Sequence, residues 1–197
     1  MTDKKTITCL ILDRNLDFDF SDKFISEGSS RFKEVIIESS TTQAIKLLSK
    51  KNIDLVIIDE SFDIFENLIT LKRIFKENFK GKIVFLSSSI NSLHSEMYMQ
   101  SNVDAYISKE ETMDFVFSCI DNVLNGYILF GAEKKSDSTH HDFNINELMV
   151  LLLLFQGQPT HIISNTLALD EILINQIKTR IQTKYNIENV SELCEEH

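Results

Sequence analysis

Apolar positions along this chain follow two regimes. Up to about residue 126, short runs rich in Ile and Val (6–13, 34–38, 54–59, 82–87 and 103–107) alternate with stretches of helical period, such as those that begin at Thr42 and Met113. Five strands and five helices in strict alternation predict an α/β unit with a right-handed, doubly wound parallel sheet. Gly131 to Asp142 shows no apolar periodicity and reads as a linker. Beyond it no strand pattern returns: 147–156, 160–167 and 171–184 read as helices, and 189–195 as a short fourth. The expected limits are a first domain at 1–127, a linker at 128–142 and an all-α second domain at 143–197.

The strands end in chemistry. The first runs out into Asp13 and the third into Asp59, the fourth ends at Ser87, and the fifth carries Tyr106 with Lys109 just beyond it. In a parallel sheet these ends share the carboxyl edge, where open α/β sheets bind ligands. Two acids, a hydroxyl and a lysine are therefore expected in one crevice.

Composition narrows the class without naming it. At 197 residues and 43% hydrophobic content, with a net charge of −10, two globular domains are expected. No run of eighteen apolar residues occurs, and the start, Met1 to Lys5, lacks the apolar core of a signal peptide, so a cytosolic location is expected. Cys9, Cys119 and Cys194 are odd in number and far apart, which favours free thiols over a disulfide framework. His140 with His141, and Cys194 with His197, form no spaced four-ligand set, so no structural zinc is expected. The apolar stripe Leu148 to Phe155 is too short to span a bilayer and reads as core.

Asp13, Asp59, Ser87, Tyr106 and Lys109 stand in the order and at about the spacing of the phosphoacceptor site of two-component receiver domains, which the first two thirds of the chain resemble. The tail resembles the LuxR-type helix-turn-helix through Glu147, Val150, Leu151, Gln156, Gly157, Ile163, Leu167, Leu169, Ile174, Lys178, Ile181, Lys184, Glu192 and Leu193. Both halves in this order resemble a NarL/FixJ-type response regulator. The resemblance implies a flavodoxin-like (βα)5 receiver with a C-terminal helix-turn-helix, Asp59 as phosphoacceptor, Asp13 and Asp59 at a magnesium site, Ser87 and Tyr106 as reporters, and Lys109 as a contact to the phosphoryl group. It further implies double-stranded DNA as partner, a homodimer, a sensor kinase or other regulatory protein upstream, and no enzymatic role.

One departure lies inside that pocket. Receivers of the usual kind carry two adjacent acids after the first strand, and here the pair is Asp13 and Arg14. A guanidinium in place of a carboxylate repels the divalent cation that phosphoryl transfer to an aspartate requires. Magnesium at Asp13 and Asp59 is accordingly expected to be weak and the site largely empty, and no other cofactor is expected. The loop from Glu60 to Asn67 lacks the family's usual proline and glycine, and Glu110 follows Lys109 where a proline is common. Asp59 is alternatively a structural acid paired with Arg14 or Lys109, and Ser87 and Tyr106 ordinary strand-end residues. An atypical regulator independent of ordinary phosphorylation is the favoured reading, ahead of a regulator phosphorylated on Asp59.

The tail offers one helix to a groove. Along 171–184, Asn175, Lys178, Thr179, Gln182 and Lys184 are expected on or near one face, Arg180 round the side for a phosphate contact, and Leu173, Ile174, Ile177 and Ile181 on the core side. Asp170 is placed to cap it. Against DNA stands the charge: from residue 136 onward there are three basic and nine acidic residues. A protein-binding regulator that sequesters another factor without touching DNA is the competing expectation.

Overall fold

The computed structural model describes residues 7–13, 18–60, 63–130 and 143–185, with backbone alone at residues 18, 19, 184 and 185. Arg14, most of the linker and the helix read at 189–195 lie outside the described residues, as do His140, His141, Cys194 and His197. The chain divides into two compact units, Met1–His141 and Asp142–His197.

The first unit runs β1 (Ile7–Leu12), α1 (Phe18–Gly28), β2 (Phe32–Glu38), α2 (Thr41–Leu48), β3 (Leu55–Asp59), α3 (Ile64–Lys76), β4 (Lys82–Ser87), α4 (Ser92–Gln100), β5 (Ala105–Ser108), α5 (Met113–Leu124) and β6 (Leu129–Phe130). All strands are parallel, in the order β2-β1-β3-β4-β5-β6. Every residue of β3 is buried, as a central strand covered on both faces requires.

Successive side chains alternate across the sheet, so one face gathers Cys9, Ile11, Ile57, Leu86 and Ile107 against Phe24 of α1 and Phe117 and Ile120 of α5. The opposite side chains, Leu10, Val56, Ile58 and Phe85, are buried too, together with Leu68 and Leu71 of α3 and Tyr98 of α4. Phe85 and Tyr98 stack at 4.0 Å between centroids. Each such side chain contributes roughly 1.5–3 kcal/mol by leaving water. Ser40, Asp63, Asn91 and Thr112 start α2, α3, α4 and α5 by accepting hydrogen bonds from the first turn.

The sixth strand is an addition to the five expected. α5 ends at Leu124; Gly126, two residues on, has a φ of 96° that turns the chain back toward the sheet, and Leu129 and Phe130 then pair with Ala105 and Tyr106. Two residues are too few to show alternation, so this strand left no mark in the sequence pattern. A cleft of about 960 Å³ opens at the amino edge of the sheet, lined among others by Ile7, Asp54, Phe79 and Lys82. It is remote from the strand ends that carry the chemistry. Gly81 also lines it, and a Cβ there would stand 2.5 Å from the Asp54 carbonyl oxygen.

The second unit holds α6 (Ile145–Phe155), α7 (Thr160–Leu167) and α8 (Glu171–Tyr185). Asn144 and Glu147 close a capping box on α6. Ala168 takes a left-handed φ of 51° after α7, and the Ser164 hydroxyl donates to the Leu169 carbonyl at 2.7 Å, which sets the turn. Asp170 caps α8 by accepting from the Ile172 amide at 2.7 Å. Ile163, Ile174, Ile177 and Ile181 close the core with Leu148 and Leu151. Leu173 departs from expectation: it is 42% exposed, turned about 100° round the helix from buried Ile174. No described helix is long and apolar enough to cross a membrane.

Candidate functional site

The strand order reverses between β1 and β3, which makes their carboxyl ends the switch point of the sheet. Asp13 extends the β1 ladder by donating its amide to the Glu38 carbonyl at 2.9 Å, and Asp59 closes β3. Their exposures are 3% and 5%. Lys109 is fixed by its amide, which donates to the Ser87 carbonyl at 2.8 Å, and its ammonium donates to the Asp59 carboxylate. Burial pushes the Asp59 carboxyl up, Lys109 pulls it down and neighbouring Asp13 pushes it up again; the net direction is upward. The pocket thus holds two close carboxylates and one ammonium.

A second carboxylate begins one residue later. The Glu60 amide continues the ladder to the Leu86 carbonyl at 2.7 Å, and its side chain turns toward α4 and β5. There it accepts from the Tyr98 hydroxyl at 2.7 Å, stands 2.7 Å from His94 Nδ1 and accepts from the Tyr106 hydroxyl. Asn67 of α3 donates to the Tyr98 hydroxyl at 2.8 Å, which extends the network to a third helix-borne partner. Burial pushes the Glu60 carboxyl up, but hydrogen bonds from His94, Tyr106, Ser87 and Tyr98 outweigh it, so this acid sits below its ordinary value. Burial, with the bond to Glu60, pushes the Tyr106 phenol up to about 12.

Of the five pocket residues described, Asp13, Asp59 and Lys109 meet directly. Ser87 and Tyr106 belong to the neighbouring network: the Ser87 hydroxyl donates to the Ser89 carbonyl at 2.8 Å, and Tyr106 points at Glu60. Glu60, His94, Tyr98 and Asn67 escaped the sequence reading. Only Glu60 left a signal, as the acid directly after a strand-end acid.

On α8 the stripe opposite Ile174, Ile177 and Ile181 consists of Ile172, Asn175, Gln176 and Thr179, all exposed. Asn175 and Thr179 stand on the outer face as expected, while Lys178 and Gln182 lie at its edge, half-buried, and the Lys184 side chain lies outside the described residues. Arg180 has an engagement that the sequence did not foretell. Its guanidinium pairs with the buried Glu147 carboxylate and stands 5.9 Å over the Phe143 ring, tying α8 to the start of α6. Among the described cysteines Cys9 is buried in β1, where burial pushes its thiol up, and Cys119 is partly covered.

No family model matches the chain. Curated relatives span it: the Fimbriae Z protein of Salmonella typhimurium is 23% identical over 97% of this chain and 96% of its own, and the response regulator UvrY of Escherichia coli is 24% identical over 86% and 83%. Among solved structures, the two-component response regulator RcsB, in its complex with DNA, matches 95% of this chain and 97% of its own at a TM-score of 0.54 and 18% identity, a likeness of fold. The six-stranded parallel sheet with two acids at its switch point, the three-helix unit that follows it in the chain and relatives that run the length of both agree. Over most of its length the protein is similar to two-component response regulators of the NarL/FixJ type.

Proposed function

We propose that the protein is a transcription regulator that binds double-stranded DNA through α8 as a homodimer, and that its receiver unit is governed by internal contacts rather than by magnesium-dependent phosphorylation of Asp59. The observation that carries the reading is the anchoring of Tyr106 to Glu60. An aromatic that reports phosphorylation must be free to move, and here movement would break a bond to an ionised, buried carboxylate.

The metal chemistry points the same way. Among the described residues no group of three His, Cys, Asp or Glu gathers as a cation site. Asp59 is already paired with Lys109, and Arg14 follows Asp13 in the sequence. These residues do not fit a divalent ion, which needs several oxygen ligands. DNA binding is supported by the α7–α8 pair joined through a tight turn and by the likeness of fold to RcsB, which is held on DNA. A sensor kinase has no task in this scheme; another regulatory protein, acting on the receiver surface, takes its place.

Incubation with a small phosphodonor and Mg²⁺ tests the first half: no acyl phosphate at Asp59 is expected by mass spectrometry, and Asp59→Asn should bind DNA like the native chain. A stable aspartyl phosphate together with loss of binding in Asp59→Asn overturns it. The excess of acids after residue 136 favours sequestration of another factor as the second reading. A salt titration on random duplex separates the two, since phosphate contacts give steep salt dependence and a protein binder shows little affinity at any salt.

A further inference from the structure

The outer stripe of α8 has a chemistry of its own. Ile172 is 68% exposed, one turn before Asn175 and Gln176, and these three line a shallow depression with Thr179 and Arg180. The Thr179 hydroxyl is returned to its own helix through the Asn175 carbonyl at 2.9 Å. Arg180 is held by Glu147. What remains outward is one large aliphatic group and two amides, with no carboxylate among them.

The charges of the unit sharpen the point. Between residues 143 and 185 the acids Glu147, Asp170 and Glu171 balance Lys178, Arg180 and Lys184. With Arg180 committed to Glu147, few cations remain for phosphates, so affinity must come from the base edges to an unusual degree. An amide side chain matches adenine, which offers N7 as acceptor and N6 as donor in the major groove. An aliphatic side chain matches the 5-methyl group of thymine. Both features name the same base pair.

We infer that α8 reads A·T pairs, with Ile172 covering thymine methyl groups and Asn175 and Gln176 facing adenine edges. This rests on the DNA-binding reading above and adds the chemical identity of the operator core. The recognition helix of a helix-turn-helix contacts bases through its N-terminal residues, and Ile172 and Asn175 occupy the first two turns after the Asp170 cap. An exposed isoleucine in the first turn is otherwise an apolar surface that nothing among the described residues covers.

The test is selection of sites from a random duplex pool with the full chain at low salt, followed by titration of the recovered site carrying uracil for thymine. Half-sites with A·T pairs are expected, and removal of each covered methyl should weaken native binding roughly fourfold. Ile172→Ala should bind the thymine site more weakly yet lose its sensitivity to uracil, with unchanged thermal stability because the residue is exposed; Ile172→Val should keep part of that sensitivity. Selected sites with G·C pairs at the core, or equal native affinity for thymine and uracil duplexes, overturn the inference while leaving DNA binding intact. Absence of salt-dependent binding to any duplex overturns both together.

Discussion

Asp59 and Glu60 are neighbours in sequence whose carboxyl groups meet opposite fates. Both are withdrawn from water, and burial alone would raise either one. Asp59 receives one ammonium, from Lys109, and faces a second acid in Asp13; its carboxyl stays above the ordinary value. Glu60 receives donors from α4, β4 and β5 and falls below it. The donors, rather than depth, decide the direction in which each carboxyl moves. Asp59 is left beside a second acid, whereas Glu60, the anchor, is surrounded by donors.

The largest effect should come from emptying the anchor. Glu60→Ala leaves two tyrosine hydroxyls and a histidine without their shared acceptor, at a cost of about 3 kcal/mol in urea unfolding, and Glu60→Gln should recover part of it. A loss below 1 kcal/mol would mean that the network is incidental. Next in size is Lys109→Ala, which strands Asp59 beside Asp13 and should cost about 2 kcal/mol at neutral pH. The loss should shrink in acid, where Asp59 takes up a proton instead.

A smaller effect tests the second unit against the first. Arg180→Ala removes a partner of Glu147, but the guanidinium is half exposed and the Glu147 carboxylate keeps the Asn144 amide at 2.8 Å, so about 1 kcal/mol is expected by thermal unfolding of the chain. The ion pair adds a structural role to the phosphate contact expected of Arg180 from the sequence. Lys178→Ala should leave stability unchanged and lower the salt slope of DNA binding by about one.

Acid titration sharpens the contrast between the two carboxyls. Glu60, depressed below 4.5 in the folded chain, contributes stability that is present above 4.5 and lost as pH falls through its folded value. Asp59, raised above 3.8, contributes in the reverse sense: its share is present below 3.8 and lost as pH rises through its folded value. In melting temperature against pH, Glu60→Gln should therefore flatten the acid limb, and Asp59→Asn should gain on the native chain between acid and neutral pH. Parallel curves for the two variants would remove the distinction.

How much of this was legible in the sequence follows from the same physics. Buried parallel strands announce themselves as continuous Ile and Val runs, so β1, β3, β4 and β5 were visible, and with them the terminal acids and Lys109. The Glu60 network was not, because its members sit on α3, α4, β5 and the loop after β3 with no common spacing. α4 adds to the difficulty, since it leaves Leu93 and Met99 exposed and so shows little apolar period. On α8 the helical period located Ile174, Ile177 and Ile181 correctly, yet it could not say that Leu173 stands exposed beside them, nor that Arg180 would be drawn to Glu147 from 33 residues away.

The bond between Tyr106 and Glu60 has an optical consequence. The chain has four tyrosines and no tryptophan, so its intrinsic emission comes from phenols alone. Two of them, Tyr98 and Tyr106, donate hydrogen bonds from their hydroxyls to one carboxylate, an arrangement that drains the excited state. Any event that frees Tyr106 brightens the molecule, and the receiver thereby carries a lamp for its own conformational state.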